Sequence, residues 1–258
     1  MQKNVPKYTP PWIPTVRFWA ESSRRDVTYA LCNDRRTLMW FANQRAVEYH
    51  PTLVAGADLD HPTHLVLDLD PPTAEQGAFR KAVHAARLVR QALADAGLDG
   101  AVKTSGAKGL HVFVPLDATV SVEEAAAATR AVAARAEALD PQAVTTAFLK
   151  EERGGKVFAD ATRIGGATVA AVYSPRLRPG VPVSFPVPWD DLDDVSPADF
   201  TIHSAPDLLA GRDPWSAVLP SPQQLPADLV EEGRGIAPGR VQAMHEGRRR
   251  ARDRRTQG

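Results

Sequence analysis

His64-Leu65-Val66-Leu67-Asp68-Leu69-Asp70-Pro71-Pro72 is the stretch that decides the fold. Its apolar run is strand-like, and side chains along a strand alternate faces, so Asp68 and Asp70 project together while Leu67 and Leu69 enter the core. Two carboxylates then share one small volume. Like charges that close raise each other's pKa unless a cation lies between them, which points to a divalent-metal site with hard oxygen ligands. The blander reading is a strand end whose carboxylates simply face solvent.

Further along, Ser105-Gly106-Ala107-Lys108-Gly109-Leu110-His111 opens a second strand-like run, Leu110 to Pro115. Two glycines permit a tight backbone approach, Ser105 and Lys108 offer a hydroxyl and a cation, and His111 lies on the strand itself. A glycine turn that only joins two strands has the same composition, and Leu110 and Val112 leave open a core role for His111. Both segments flank strands, so both loops can lie on one side of a single sheet. Metal beside phosphate cradle points to nucleotide chemistry. A dehalogenase-like phosphatase is disfavoured, because Pro71-Pro72 stand where that D-x-D chemistry expects a hydroxyl residue.

The 258 residues can hold one large domain or two small ones, and 31 basic residues balance 31 acidic ones, so no whole-molecule field advertises nucleic acid. The distribution is uneven. Lys3, Lys7, Arg17, Arg24, Arg25, Arg35, Arg36 and Arg45 dominate the opening, and Arg248, Arg249, Arg250, Arg252, Arg254 and Arg255 crowd the end. Such runs are either solvated surface or contacts to a phosphate backbone. The lone Cys32 excludes an internal disulfide and reads as a small core residue. With no long apolar span and no signal-like start, a soluble cytoplasmic protein without membrane partners is expected.

Val16 to Ala20 and Val27 to Cys32 read as a hairpin. Asp34 can cap a helix through Ala42, Thr73 with Gln76 forms a capping box for a helix through Leu93, and Ser121 with Glu124 forms another for an alanine-rich helix ending near Leu139. Strands are expected around Val102, over Leu110–Pro115, over Val157–Asp160 and over Thr168–Tyr173. From Pro175 to Pro226 the prolines allow only short pieces, and residues 221–258 read as a disordered Pro/Gly/Arg-rich tail behind a domain at 1–220.

Taken together, D-L-D-P-P at 68–72, K-T-S-G-A-K-G-L-H-V-F-V-P-L at 103–116 and F-A-D-A-T-R-I-G-G-A-T-V-A-A-V-Y-S-P-R-L-R-P-G at 158–180 resemble the polymerase domain of bacterial ATP-dependent DNA ligase D, of the archaeo-eukaryotic primase superfamily. Met1-Gln2-Lys3-Asn4-Val5-Pro6, W-F-A-N-Q-R-A-V-E-Y-H at 40–50 and P-V-P-W-D-D-L near Trp189 support it. The resemblance implies an α+β fold with a primase-like mixed or antiparallel sheet flanked by helices and an active site on the sheet between two lobes. It implies Asp68, Asp70 and Asp160 as catalytic ligands of a two-metal Mn²⁺ or Mg²⁺ site. Ser105, Lys108 and His111 would bind the nucleotide, His50 would sit beside its sugar, and Arg153, Arg163 and Arg176 would face triphosphate or template.

Lys3, Arg17, Arg24 and Arg25 are the expected DNA contacts. The implied activity is template-directed addition of ribo- or deoxynucleotides to DNA 3′ ends in bacterial non-homologous end joining, on DNA ends or a primer–template, close to the nucleoid. The rival is a catalytically weak DNA-end-binding module. Three departures from the family pattern matter. Met1 falls inside the Gln2-Lys3 motif, so the chain is expected to be short of an N-terminal segment with a 5′-phosphate-recognising patch. Ile164 replaces the family's asparagine ahead of a shortened Gly165-Gly166 turn on the template side. No ligase or nuclease domain is attached, so Ku and a separate DNA ligase are the implied partners.

Overall fold

The computed structural model describes residues 4–20, 24–72, 77–164 and 167–239. Strands β1 (Thr15–Ala20) and β2 (Arg25–Ala30) form an antiparallel hairpin as expected, with Thr15 opposite Ala30 and Ala20 opposite Arg25. Helix α1 (Arg35–Asn43) starts where Asp34 accepts the Thr37 N–H at 2.7 Å, so that cap also holds. Its apolar residues do not form a core stripe, however: Thr37 is the buried one, and Leu38 and Met39 are exposed. Cys32 is likewise exposed, correcting its assignment to the core.

The chain continues through a small hairpin of β3 (Val54–Ala55) and β4 (Asp58–Pro62), then β5 (His64–Asp70), α2 (Ala78–Ala94), β6 (Ala101–Thr104), β7 (Leu110–Pro115) and α3 (Val122–Leu139). It closes with β8 (Val144–Thr145), β9 (Val157–Asp160), β10 (Pro186–Val187), α4 (Ala205–Leu209), α5 (Pro214–Val218) and α6 (Ala227–Arg234). The Thr73–Gln76 capping box falls outside the described residues; α2 begins after Gly77, which takes φ 88° and offers no side-chain cap. The Ser121–Glu124 box is present, with Glu124 N–H donating to Ser121 Oγ at 3.2 Å and Ser121 N–H donating to Glu124 Oε2 at 2.9 Å.

A six-stranded mixed sheet in the order β10-β6-β7-β5-β9-β8 carries the molecule, antiparallel throughout except for the parallel β8–β9 pair. Alternation gives this sheet two unlike faces. Leu65, Leu67, Leu69, Val102, Leu110, Val112 and Val114 are buried with Val83, Val89 and Leu93 of α2 and Ala128, Val132 and Ala136 of α3. The opposite face carries Lys103, His111, Asp68 and Asp160. The fold is thus α+β, with α2 and α3 packed behind the apolar face and Trp215 of α5 meeting Phe113 on the other.

Two expectations are corrected. Thr168–Tyr173 is not a strand: Val169 N–H donates to Pro51 O at 3.1 Å and Ala171 N–H to Tyr49 O at 2.9 Å, but the run then turns at Tyr173, whose φ is 64°. This extended run ties the His50 segment to the sheet without continuing a ladder. Second, residues 221–239 are folded rather than a tail. Gln223 bridges Pro115 and Asp99, and Leu225, Leu229 and Val230 are buried. Helix α6 lies on α3 so closely that a Cβ on Gly233 would stand 1.8 Å from Ala127 O, which glycine alone tolerates. Residues 240–258 lie outside the described residues. No helix among the described residues is long and apolar enough to cross a membrane.

Candidate active site

Register builds the site. Lys103 on β6 stands opposite His111 on β7, His111 opposite Asp68 on β5, and Asp68 opposite Asp160 on β9. Directly opposed residues share a face, so these four form one row across four strands. Lys103 Nζ lies 2.9 Å from His111 Nδ1, and His111 Nε2 lies 3.4 Å from Asp68 Oδ1. One guanidinium nitrogen, Arg163 Nη2, then reaches both Asp68 Oδ2 at 2.7 Å and Asp160 Oδ2 at 2.8 Å. The other oxygen of Asp160 accepts from Thr162 N at 2.8 Å and Thr162 Oγ1 at 2.6 Å.

The charges are set by this packing. Burial alone would raise the Asp68 pKa; His111, Arg163 and Lys103 outweigh it and hold the carboxyl well below the usual carboxylate range. Burial and the neighbouring Lys103 push His111 down to about 4, so at neutral pH it is an uncharged imidazole whose Nε2 is turned to Asp68. Burial brings Lys103 down to about 7, with the nearby Asp68 charge opposing the shift.

Asp70 turns elsewhere. Its carboxylate is 3.2 Å from Lys108 Nζ and 3.7 Å from Arg153 Nη1, while Lys108 also donates to Pro71 O. Arg153 is itself pinned, donating to Ala147 O at 3.2 Å and Phe148 O at 2.9 Å and stacking 3.9 Å over Phe158. Of the three acids expected to converge, Asp68 and Asp160 meet at Arg163, while Asp70 pairs with Lys108 and Arg153. Among the described residues no group of three or more His, Cys, Asp or Glu side chains forms a ready metal cage.

The glycines of the second motif serve the chain itself. A Cβ on Gly109 would lie 2.1 Å from Leu69 O, and one on Gly106, at φ +67°, would lie 2.6 Å from Arg176 Cγ and 3.0 Å from Ser184 N. Ser105 Oγ accepts from Ala107 N at 3.2 Å and Gly109 N at 3.3 Å, holding the turn and leaving its own O–H to donate. Arg176 Nη1 donates to Ser105 O at 2.5 Å and Arg176 Nε to Glu48 Oε2 at 3.3 Å. The same Glu48 oxygen is 3.0 Å from His50 Nε2. Burial opposes ionisation of Glu48, but the bonds from His50 and Leu177 N and the charge of Arg176 prevail and lower its pKa. His50 and Arg176 are thereby brought to the loop end of the site. Arg17, Arg24 and Arg25 are exposed on the β1–β2 hairpin, where the register puts Arg17 and Arg25 on opposite faces. Lys3 lies outside the described residues.

The family model of the LigD primase-polymerase domain matches residues 1–215. The chain belongs to this family. Similar proteins include the multifunctional non-homologous end joining protein LigD of Pseudomonas aeruginosa, 34% identical over 196 residues, which cover 74% of this chain and 23% of that protein. The Mycobacterium tuberculosis LigD is 37% identical over 202 residues, covering 75% of this chain and 26% of that protein. The chain thus spans about a quarter of the length of these curated relatives. Among solved structures, the polymerase domain of Mycobacterium tuberculosis ligase D in complex with DNA superposes with a TM-score of 0.75 at 33% identity, covering 84% of this chain and 78% of that one.

In this LigD primase-polymerase domain the donor set fits a hard divalent cation: carboxylate oxygens on adjacent strands, Asp68 held ionised, with a positive group between them. That group is Arg163, whose Nε is buried with no hydrogen-bond partner among the described residues. Sequence reasoning missed two residues. Lys103 sits in an apolar strand where a charge reads as exposed, and Glu48 carries no motif beyond standing two places before His50. Register, which no local pattern supplies, is the signal that places Lys103 opposite His111, whereas Asp160 is reached through the family resemblance.

Proposed function

We propose that this domain is a template-directed nucleotidyltransferase that adds ribo- or deoxynucleotides to DNA 3′ ends during repair by non-homologous end joining. The observation that carries this reading is the facing of Asp68 and Asp160 across β5 and β9 around a single guanidinium nitrogen, in a member of a primase-polymerase family. Asp68, Asp70 and Asp160 would hold Mn²⁺ or Mg²⁺, which when bound supplies charge neutralisation at the attacking 3′-oxygen and the leaving pyrophosphate.

The chain's own residues supply positioning. Arg163, Lys108 and Arg153 pair with the three acids, so they are the cations that an incoming triphosphate would draw towards itself. At the loop end, Ser105 would donate its O–H, and Arg176 and His50, held in common by Glu48, would orient the nucleotide's phosphates and sugar. His111 turns its Nε2 to the same face. The exposed Arg17, Arg24 and Arg25, with Lys3, would contact DNA phosphates. Ku and a separate DNA ligase are the proposed partners in joining.

Primer extension with labelled ribo- and deoxynucleotides in Mn²⁺ or Mg²⁺ tests the proposal. Incorporation is expected from the wild type and should vanish in Asp68→Ala and Asp160→Ala with the melting transition retained. DNA binding without incorporation in either metal would make the protein an end-binding module instead.

A further inference from the structure

Lys103 is the largest fully buried side chain among the described residues, at 0% exposure in the middle of the sheet. A lysine so placed is rare unless every N–H is answered. Here three acceptors surround its Nζ: Ala170 O at 2.9 Å, Ser184 Oγ at 2.5 Å and His111 Nδ1 at 2.9 Å. The backbone carbonyl of Ala170 has no proton to give. Ser184 has already spent its own proton on Thr104 O at 2.7 Å, so towards Lys103 it can only accept. An ammonium has three N–H groups and no lone pair, and the third N–H is directed at His111 Nδ1.

Nδ1 therefore carries a lone pair, and the single proton of the neutral ring sits on Nε2, the nitrogen turned to Asp68. Asp68 favours the same arrangement, but its contact with Nε2 is 3.4 Å and the carboxylate is shared with Arg163, whereas the charge-assisted bond from Lys103 is 2.9 Å. The shorter charged bond is the stronger constraint.

We propose that Lys103 is a positioning residue that locks His111 in its Nε2–H tautomer and orients the ring, so that the active-site face receives a hydrogen-bond donor rather than a lone pair. The tautomer rests on the three acceptors gathered around a charged Lys103, and so holds where that ammonium keeps its proton; its consequence for nucleotide binding rests on the functional reading above.

The experiment is ¹⁵N NMR of histidine-labelled full chain at pH 6, with Lys103→Met and Lys103→Gln alongside. In the wild type His111 is expected as a neutral ring protonated on Nε2, with Nδ1 shifted by an accepted hydrogen bond. Lys103→Gln, which keeps an N–H donor, should retain that pattern. Lys103→Met should lose the shift that the accepted bond gives Nδ1 and, with only the 3.4 Å contact to Asp68 left to hold the ring, show part of the proton on Nδ1. A wild-type ring protonated on Nδ1 overturns the proposal even if the methionine variant does not fold. So does an unchanged pattern in folded Lys103→Met. Nucleotide KM is expected to rise about tenfold in Lys103→Met, with Lys103→Gln intermediate. If the wild type incorporates no nucleotide while the NMR pattern holds, the functional reading fails and the positioning role stands.

Discussion

Replacing Arg163 by glutamine removes the guanidinium nitrogen that Asp68 and Asp160 share at 2.7 and 2.8 Å. Two carboxylate charges ~5 Å apart repel by about 3 kcal/mol at an effective dielectric of about 20. Charged hydrogen bonds of the kind lost contribute about 1.5–3 kcal/mol each when desolvated. The Arg163 side chain is 31% exposed, so water takes up part of both effects, and the glutamine retains an N–H. A net loss of about 2 kcal/mol is the reasonable expectation for such a half-screened pair. In a domain of this size each kcal/mol lowers Tm by about 2–4 °C, so metal-free Arg163→Gln should melt about 4–8 °C below the wild type. Millimolar Mn²⁺ should restore most of that loss, because a cation binding the variant has no guanidinium to displace. The Mn²⁺-induced rise in Tm is thus larger in the variant than in the wild type. Calorimetry in EDTA and in Mn²⁺ measures both quantities. Equal melting in EDTA together with equal increments in Mn²⁺ would refute the idea that Arg163 occupies the place of a cation.

Leu229→Ala empties a fully buried position in α6 and should cost about 2–5 kcal/mol in urea unfolding, whereas a change below about 0.5 kcal/mol would mean that α6 is not part of the cooperative unit. Gly109→Ala drives a methyl against Leu69 O and should destabilise by at least about 2 kcal/mol; a fold as stable as the wild type would show the β5–β7 approach to be looser than described. Lys103 is held at about 7 in the folded chain against an ordinary 10.5, so between those values the unfolded chain binds the extra proton. Stability should therefore rise with pH above 7 by up to about 1.4 kcal/mol per unit. Melting at pH 7, 8 and 9 checks this, and a rise that persists unchanged in Lys103→Met would assign it to another group.

The sequence is most legible where a local rule is enough. Asp68 and Asp70 share a face because strands alternate, and α3 begins where Ser121 and Glu124 reciprocate. It is least legible where the deciding quantity is long-range. Nothing near Asp160 says that it stands opposite Asp68, and nothing near Lys103 says that its charge ends among three acceptors. The glycines of the Ser105 loop are needed for close approach, but to Leu69 and Ser184 rather than to a ligand. Leu38 and Met39 follow helical spacing and still face outwards, since spacing fixes which residues share a side and not what that side meets.

The row Lys103, His111, Asp68 and Asp160 draws one residue from each of four strands, and this has a kinetic meaning. Hairpin-like neighbours such as β6 and β7 can close early at small entropic cost, but β9 must cross a long stretch of chain before it finds β5. A folding species that lacks only this last docking already holds Lys103, His111 and Asp68 in register and still has half an acidic pair. On the proposed function, cation binding would become possible only once this long-range contact of the sheet had formed, and a bound cation would protect the β5–β9 amides first against exchange.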